Sequence, residues 1–474
     1  MTRVGTAARY PATETGAGWV VVGVLALAVI GYVGVADLRV SAAVVAAAAL
    51  TAWGALAFQR PRLALSASFL FTLIAGTKFR IRDAAASLDG VMDAQILLEI
   101  ALFAVIGVGL VAVWIAGRGD RRGLTAVEAL ILGYAAIALM STLWSLAPAL
   151  TLVRAIQLLI MSALAIVAVR VLTPSGALWT ACTAIAAYVL VCAGLAAIFP
   201  WASGTFYYED GFRFAWFSMH PVSVGTLTAI AALGLLSASV FGPPDGLSRK
   251  LGIPLPCYVI PLVLVLVLTN SRGPLLAFVA GLGIVMLMRV RSSLRALLLL
   301  IIASLVLMYV ASGPDVQAWL GSAANQDSAM SRLFFRGQSA DTVLGLSGRM
   351  ELWDDLRPAI AGHSLFGYGY QASRSVVLDV ASWAAYAHNA LLQTILDLGL
   401  IGTLALVALV TIGLFGALFR ALGATTRGLT PWLRATVAAL MVFLVLNSIS
   451  TESFAGSPGF ETSLLFICAL CAAS

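Results

Sequence analysis

Apolar runs of about the length of a bilayer crossing recur almost without pause along this chain, and they dictate its environment before any single residue is considered. A helix needs roughly 20 consecutive apolar residues to cross the hydrocarbon core. Runs at 18–35, 41–58, 63–77, 94–117, 124–144, 152–172, 178–199, 221–241, 255–270, 273–290, 293–312, 386–419, 432–451 and 460–473 meet or approach that length. The third and the last are short, which puts the count at about 12–14 transmembrane helices. The run at 386–419 exceeds one crossing, so it begins outside the hydrocarbon or tilts. Only 10% of the 474 residues are charged, against about 25% in a soluble domain. The apolar runs are continuous rather than alternating, which excludes a porin-like barrel. The expected fold class is therefore all-α: a polytopic helical membrane protein with one long extracytoplasmic loop.

Behind a polar tail carrying Arg3 and Arg9, the first run is read as a retained helix and not a cleaved signal peptide. With the N-terminus in the cytoplasm, the positive-inside rule is met at Arg60 and Arg62, at Arg118, Arg121 and Arg122, at Arg249 and Lys250, at Arg289, Arg291 and Arg295, and at Arg420, Arg427 and Arg434. Lys78, Arg80, Arg82, Arg154, Arg213, Arg272 and the arginines of the 313–385 loop then fall outside, against the rule. Those cations need another explanation, and anion binding is the simplest. Four parts are expected: N-terminal transmembrane helices at 1–122, a transmembrane core at 123–312 whose outer loops carry Arg154, Arg213 and Arg272, an extracytoplasmic loop at 313–385, and C-terminal transmembrane helices at 386–474.

A loop as long as 313–385 is functional or disordered, and its aromatic residues, among them Trp353, Phe366, Tyr368, Tyr370 and Trp383, favour order at a membrane interface. Arg332 and Arg336 share a face if helical. From Ser347 a short helix is expected with Arg349, Trp353 and Leu356 on one side and Pro358 at its end. Asp354 and Asp355 are adjacent acids with no His or third acid at ligand spacing, so they read as a solvated face and not a metal site. The five cysteines, including Cys468 and Cys471 at CxxC spacing, lie in or beside apolar runs and read as small buried hydrophobes. No nucleic-acid-binding motif is present, and the formal charge of +7 bears on orientation instead.

Four outer signatures carry chemistry: the Trp-Ser-x-x-Pro loop at 144–148 followed by Arg154; Arg213 with His220 and Pro221; Arg272 in a tight Ser-Arg-Gly turn; and the long loop leading to His388 and Asn389. All four fall on one side in this topology. Arginine makes bidentate, charge-assisted bonds to phosphate and stays charged, so two or three of them suit a diphosphate anchored by a lipid tail. A lipid-diphosphate sugar is already activated. Its transfer needs a base for the attacking hydroxyl and positive charge for the departing diphosphate. His388 suits the first role and Arg213 and Arg272 the second. Duller readings stand beside these: a helix-end cap for His388, an interfacial anchor for Arg272, a helix anchor for Arg154, a structural role for His220, a surface pair with Glu209 or Asp210 for Arg213, and buried pairing with Gln95, Gln157 or Gln393 for Glu99, Asp397 and Glu461. Gly367 and Gly369 read as a tight turn beside the substrate.

The sequence resembles the O-antigen ligase and O-antigen polymerase superfamily over roughly residues 140–405. The matching pieces, in order, are Trp144, Ser145, Pro148 and Arg154; Ser271, Arg272 and Gly273; Gly348, Arg349 and Trp353; Gly367, Tyr368 and Gly369; and His388, Asn389, Asp397 and Gly399 to Gly402. The resemblance implies a GT-C-like glycosyltransferase of a bacterial inner (plasma) membrane. It would take a glycan from an undecaprenyl or related polyprenyl diphosphate at the extracytoplasmic face, invert the anomeric centre, and use no metal or other cofactor. By similarity Arg213 and Arg272 bind the diphosphate and His388 activates the acceptor hydroxyl. Arg154, His220, Arg332, Arg336, Arg349, Trp353, Tyr368 and Asn389 are expected around the substrates. Two departures are Leu391, where the family often has an aromatic, and Asp397, where it often has Glu.

Within the superfamily a ligase passes the glycan to an envelope glycan or glycolipid, and a polymerase passes it to a second polyprenyl-linked unit. One dominant outer loop near the C-terminal end favours the ligase. A lipid-linked-glycan flippase would show half-chain repeats and charges near the midplane, which this sequence lacks.

Overall fold

A computed structural model describes residues 38–79, 93–117, 122–204, 206–208, 211–244, 254–290, 348–422 and 430–474. The expected spans at 18–35 and 293–312, and Arg80, Arg82, Glu209, Asp210, Arg332 and Arg336, lie outside these residues. The helices are α1 Leu38–Gln59, α2 Pro61–Ala75, α3 Ala94–Ile115, α4 Ala126–Met140, α5 Pro148–Ile198, α6 Pro221–Phe241, α7 Pro256–Leu268, α8 Arg272–Leu287, α9 Arg349–Gly362, α10 Arg374–Val380, α11 Ala390–Leu422, α12 Pro431–Asn447 and α13 Phe460–Ala473. The chain is a helical membrane protein. Five of these helices, α5 and α11 among them, are long and apolar enough to cross a bilayer, and six further apolar stretches are shorter.

Helix starts follow from the local sequence. Proline stands in the first turn of α2, α5, α6, α7 and α12, where its missing N–H is no loss. Asp93 caps α3, Thr125 and Glu128 form a reciprocal capping box on α4, and Thr430 caps α12. Inside the bundle α12 packs on α8 and α6, and α13 lies against α5 and α11. Of the apolar window of α6, 78% is buried within the protein, whereas for α3 the figure is 28%, so α6 is interior and α3 peripheral. Leu97, Val111, Trp114 and Ile115 of α3 and Leu404, Phe415 and Phe419 of α11 turn outward, where lipid is the natural neighbour. At the start of α4, Glu128 receives bonds from Arg170 Nε at 2.8 Å and Nη2 at 2.7 Å, and Arg170 also reaches the carbonyls of Arg122 and Gly123.

Three local expectations need correction. The runs at 152–172 and 178–199 are joined without a loop: α5 is continuous except at Thr173 (φ 69°), the residue before Pro174. Pro disfavours helical backbone in the residue preceding it, so the chain reverses there. Pro358 does not end its helix; α9 runs on to Gly362. Pro358 lies on the exposed side, where water can take the carbonyl that its ring releases, while Leu352 and Leu356 anchor the buried side. The segment before α6 also holds a small antiparallel hairpin, β1 Phe206–Tyr208 with β2 Gly211–Arg213, which the apolar pattern did not suggest.

Candidate functional site

At one end of the bundle the helix termini are tied together by hydrogen bonds between residues far apart in sequence. The hairpin arm leads. Phe214 N–H donates to the Leu268 carbonyl at 2.9 Å and Ser218 N–H to the Lys78 carbonyl at 2.7 Å. Arg213 therefore lies over the turn between α7 and α8, where Nε donates to the Thr269 carbonyl (3.4 Å) and Nη2 to the Ser271 hydroxyl (3.2 Å). Arg272 follows Ser271 and opens α8, so the two arginine segments are side by side.

The same α8 start presses on the turn after α12. A Cβ added to Gly273 would meet Ser450 Oγ at 2.6 Å, so glycine is what allows this approach. The other flank of that turn takes the His-Asn motif. Ala390 N–H donates to the Ser448 carbonyl (3.0 Å) and Asn389 Nδ2 to the Ile449 carbonyl (3.1 Å). The turn at 448–452 thus has Arg272 on one side and His388 on the other.

Glu452, in that turn, receives His388: Nδ1 lies 3.2 Å from a carboxylate oxygen. Burial alone would push the Glu452 carboxyl up, but the hydrogen bond and charge of His388, a bond from its own turn and the charge of Lys78 outweigh it and hold the group below the usual carboxylate range. The imidazole is half-buried, its backbone is left-handed (φ 51°), and its ring is stacked with Trp383. Glu461, one turn away in α13, accepts from the Ser453 hydroxyl at 2.6 Å and braces the chain that carries Glu452.

His220 caps α6, its Nδ1 accepting from Val222 N–H at 3.3 Å. Although it keeps a solvent-accessible edge, desolvation and then the positive charges of Arg213, His388 and Lys78 push its pKa down to about 4. Arg349, at the start of α9, is also within reach of this group: burial lowers its pKa and the charge of Glu452 partly restores it. Lys78, Arg213, His220, Arg349, His388 and Glu452 thus feel one another's charge. A histidine with a folded value near 4 and an ordinary value of 6.5 binds its proton more readily when unfolded. Stability is then unaffected above pH 6.5 and is lost as pH falls from there toward 4. The thermal midpoint should drop across that window in the wild type and less in His220→Asn, which keeps a capping oxygen. Equal slopes in the two proteins would remove His220 as the source.

Several residues expected around the substrates also make polar contacts within the protein. Arg154 pairs with Glu99 and also donates to Gln157 (2.9 Å), so its charge is already balanced. The Trp353 indole donates to the Ala387 carbonyl (2.9 Å) and Tyr368 Oη to the Ala359 carbonyl (3.0 Å). The Asn389 side-chain oxygen accepts from Leu391 and Leu392 N–H, capping α11. Asp397 accepts from Ser373 (2.6 Å) and Gln393 (3.0 Å) in the interior, and Asp354 pairs with Arg357 in the open. Among the described residues no group of three His, Cys, Asp or Glu side chains is placed to hold a metal.

The Gly-Tyr-Gly turn also has a role within the protein. It is a clasp between the Trp-Ser loop and α11. Tyr368 N–H donates to the Leu396 carbonyl (2.8 Å), Gly369 N–H to that of Asp397 (2.9 Å), Leu146 N–H to that of Tyr368 (3.0 Å), and the Trp144 indole to that of Phe366 (3.1 Å). Gly367, Gly369 and Gly399 all have positive φ, and at each a side chain would strike backbone or Ser145. Glu452 was missed by sequence reasoning; the available signal was an acid in a short polar segment bounded by two apolar spans, on the same side as His388.

Comparison with known proteins agrees with these motifs. No curated protein matches the sequence. The family model described as O-antigen ligase matches residues 257–407, a stretch that contains Arg272, Arg349, the Gly-Tyr-Gly turn and His388. Over that segment the chain is similar to the O-antigen ligase family, a match that supports the O-antigen ligase and polymerase superfamily.

Proposed function

We propose that this protein is a ligase-type membrane glycosyltransferase that moves a glycan from a polyprenyl diphosphate, undecaprenyl diphosphate in a bacterial inner membrane, to an envelope glycan or glycolipid at the extracytoplasmic face. The observation that carries the reading is the pairing of His388 with Glu452 on the turn that also receives the start of α8 at Arg272. In this reading His388 takes the proton of the acceptor hydroxyl as that oxygen bonds to the anomeric carbon. The bond from that carbon to the diphosphate oxygen breaks, and the electron pair leaves with the diphosphate. Glu452 orients the imidazole and balances the charge it gains. Arg213 and Arg272 hold the diphosphate and stabilise it as it departs. Arg349 and His220 border the same space and suit remaining donor oxygens. Arg154, Trp353, Tyr368 and Asn389 serve by holding the surrounding backbone, and Arg332 and Arg336 remain candidates for the donor glycan or lipid headgroup. The chemistry needs neither metal nor nucleotide.

Purified protein in nanodiscs, incubated with a polyprenyl-diphosphate glycan and candidate acceptors, tests this directly. Glycan on a non-prenyl acceptor supports the ligase. Longer prenyl-linked chains would make it a polymerase, the second activity of the superfamily. Translocation without transfer would overturn the enzyme reading. Arg213→Ala or Arg272→Ala should weaken donor binding by about 10- to 100-fold, the range for losing charge-assisted bonds. The lysine variants should recover only part, because an ammonium lacks the planar fork. Unchanged donor affinity in Arg272→Ala would leave that residue as an anchor of α8.

A further inference from the structure

We propose that the exposed indole of Trp383 is a platform on which a sugar ring of the acceptor lies while its hydroxyl meets His388; the proposal rests on the transferase reading above. Trp383 keeps 61% of its surface exposed, in a segment where Ala384 and Ala387 are completely buried. A tightly packed turn that displays a tryptophan is not a loose loop. The turn is pinned at several points: Ala384 N–H to the Ala381 carbonyl (2.9 Å), Ala387 N–H to Gln393 Oε1 (3.0 Å), and the Trp353 indole to the Ala387 carbonyl (2.9 Å). The backbone that carries the indole is thus held in place, and the indole itself is stacked with the His388 ring.

Its relation to the base is what suggests a sugar. The indole and imidazole planes differ by 10°, with centroids 6.0 Å apart. At a contact separation of roughly 3.5 Å between the planes, the rings are displaced sideways by about 5 Å. Part of the indole face on the imidazole side therefore extends beyond the imidazole. A pyranose presents a patch of C–H bonds on its face, which suits the negative face of an aromatic ring. Equatorial hydroxyls project from its edge, roughly in the ring plane. A pyranose on that part of the indole would lie level with the imidazole and direct a hydroxyl at its edge. Nδ1 is already engaged by Glu452, so Nε2 is the nitrogen that would receive it. The division of labour is consistent: Arg213, Arg272 and Arg349 offer charge to an anionic donor, and Trp383 offers an uncharged face to a neutral acceptor ring.

The competing role for an exposed tryptophan here is an anchor at the membrane interface. Saturation-transfer NMR separates the two without requiring turnover. The probes are methyl glycosides of glucose, galactose, mannose and N-acetylglucosamine, presented to nanodisc-embedded wild type, Trp383→Phe and Trp383→Leu. The expected result is saturation of ring C–H protons of at least one glycoside by the wild type, partial retention in the phenylalanine variant and loss in the leucine variant. In transfer assays Trp383→Leu should raise the acceptor KM about tenfold, the scale of one stacking contact, with donor affinity unchanged. No saturation by the wild type, or equal saturation by Trp383→Leu, overturns the platform. Failure of the wild type to bind a polyprenyl-diphosphate glycan would instead count against the transferase reading, and it is measured separately.

Discussion

Replacing His388 with alanine is expected to remove nearly all glycan transfer while leaving donor binding intact. The imidazole is fixed by Glu452 on one side and Trp383 on the other, and its backbone is held left-handed by the Asn389 cap and the Ala390–Ser448 bond. In the proposed mechanism the imidazole acts on a hydroxyl proton, and the diphosphate is held by Arg213 and Arg272. Removing a general base lowers turnover by about 10²- to 10⁴-fold, so kcat should fall by that factor and the donor dissociation constant should stay within about twofold. Glu452→Gln should give an intermediate loss, because the amide still bonds Nδ1 but cannot balance a charge on the ring. Single-turnover transfer and equilibrium donor binding, measured on the same preparation, check both. Full activity in His388→Ala would remove the base assignment, and a collapse of donor binding would assign the residue to the donor.

The second large effect is on folding. Gly399→Ala should reduce stability by about 2–6 kcal/mol, the sum of backbone strain and overpacking. Gly399 (φ 61°, ψ −160°) breaks α11, and an added Cβ would collide with the Leu365 carbonyl group. Leu400 N–H donates to the Ser364 carbonyl at 2.8 Å across the same contact, so the break and the Gly-Tyr-Gly clasp close on each other. Gly369→Ala, aimed at Ser145, should behave similarly. Gly194→Ala is the control: that glycine lies inside α5 with open space where its Cβ would go, and helix propensity favours alanine there by about 1 kcal/mol. Thermal midpoints and monodisperse yield in detergent report the outcome. If Gly399→Ala melted with the control, the break would be soft.

Most helix positions were legible because bilayer thickness imposes a length and apolar residues fill it. Runs such as 221–241 and 460–473 start and stop where proline, glycine or a polar cap punctuates them, and the helices share those bounds. The reversal at Thr173 was not legible, because residues 173–176 look like an ordinary short loop; only the tertiary fit makes them a single break. The hairpin carrying Arg213 was hidden for a related reason, since three-residue strands leave no period to read. Within the site, the motif order brought Arg213, Arg272 and His388 to attention, and their surroundings sit at one end of the bundle. What the motifs did not disclose was function by position. Trp144, Tyr368, Gly369 and Asp397 share a pattern with His388, yet their hydrogen bonds tie together the Trp-Ser loop, the Gly-Tyr-Gly turn and α11. Glu452 belongs to no recognised motif, and only the approach of α12 to α11 gives it a partner.

The joint at Thr173 has a consequence for biogenesis. Both ends of α5 meet the cluster of turns around the candidate site: Thr151 bonds the Tyr370 carbonyl, and Ser203, shortly past Ile198, makes a single antiparallel bridge to Trp216. The two limbs therefore form a hairpin with almost no hydrophilic linker at its tip. A translocation channel would have to release them into lipid as one unit, since no linker is left to dwell in the aqueous phase while the second limb emerges.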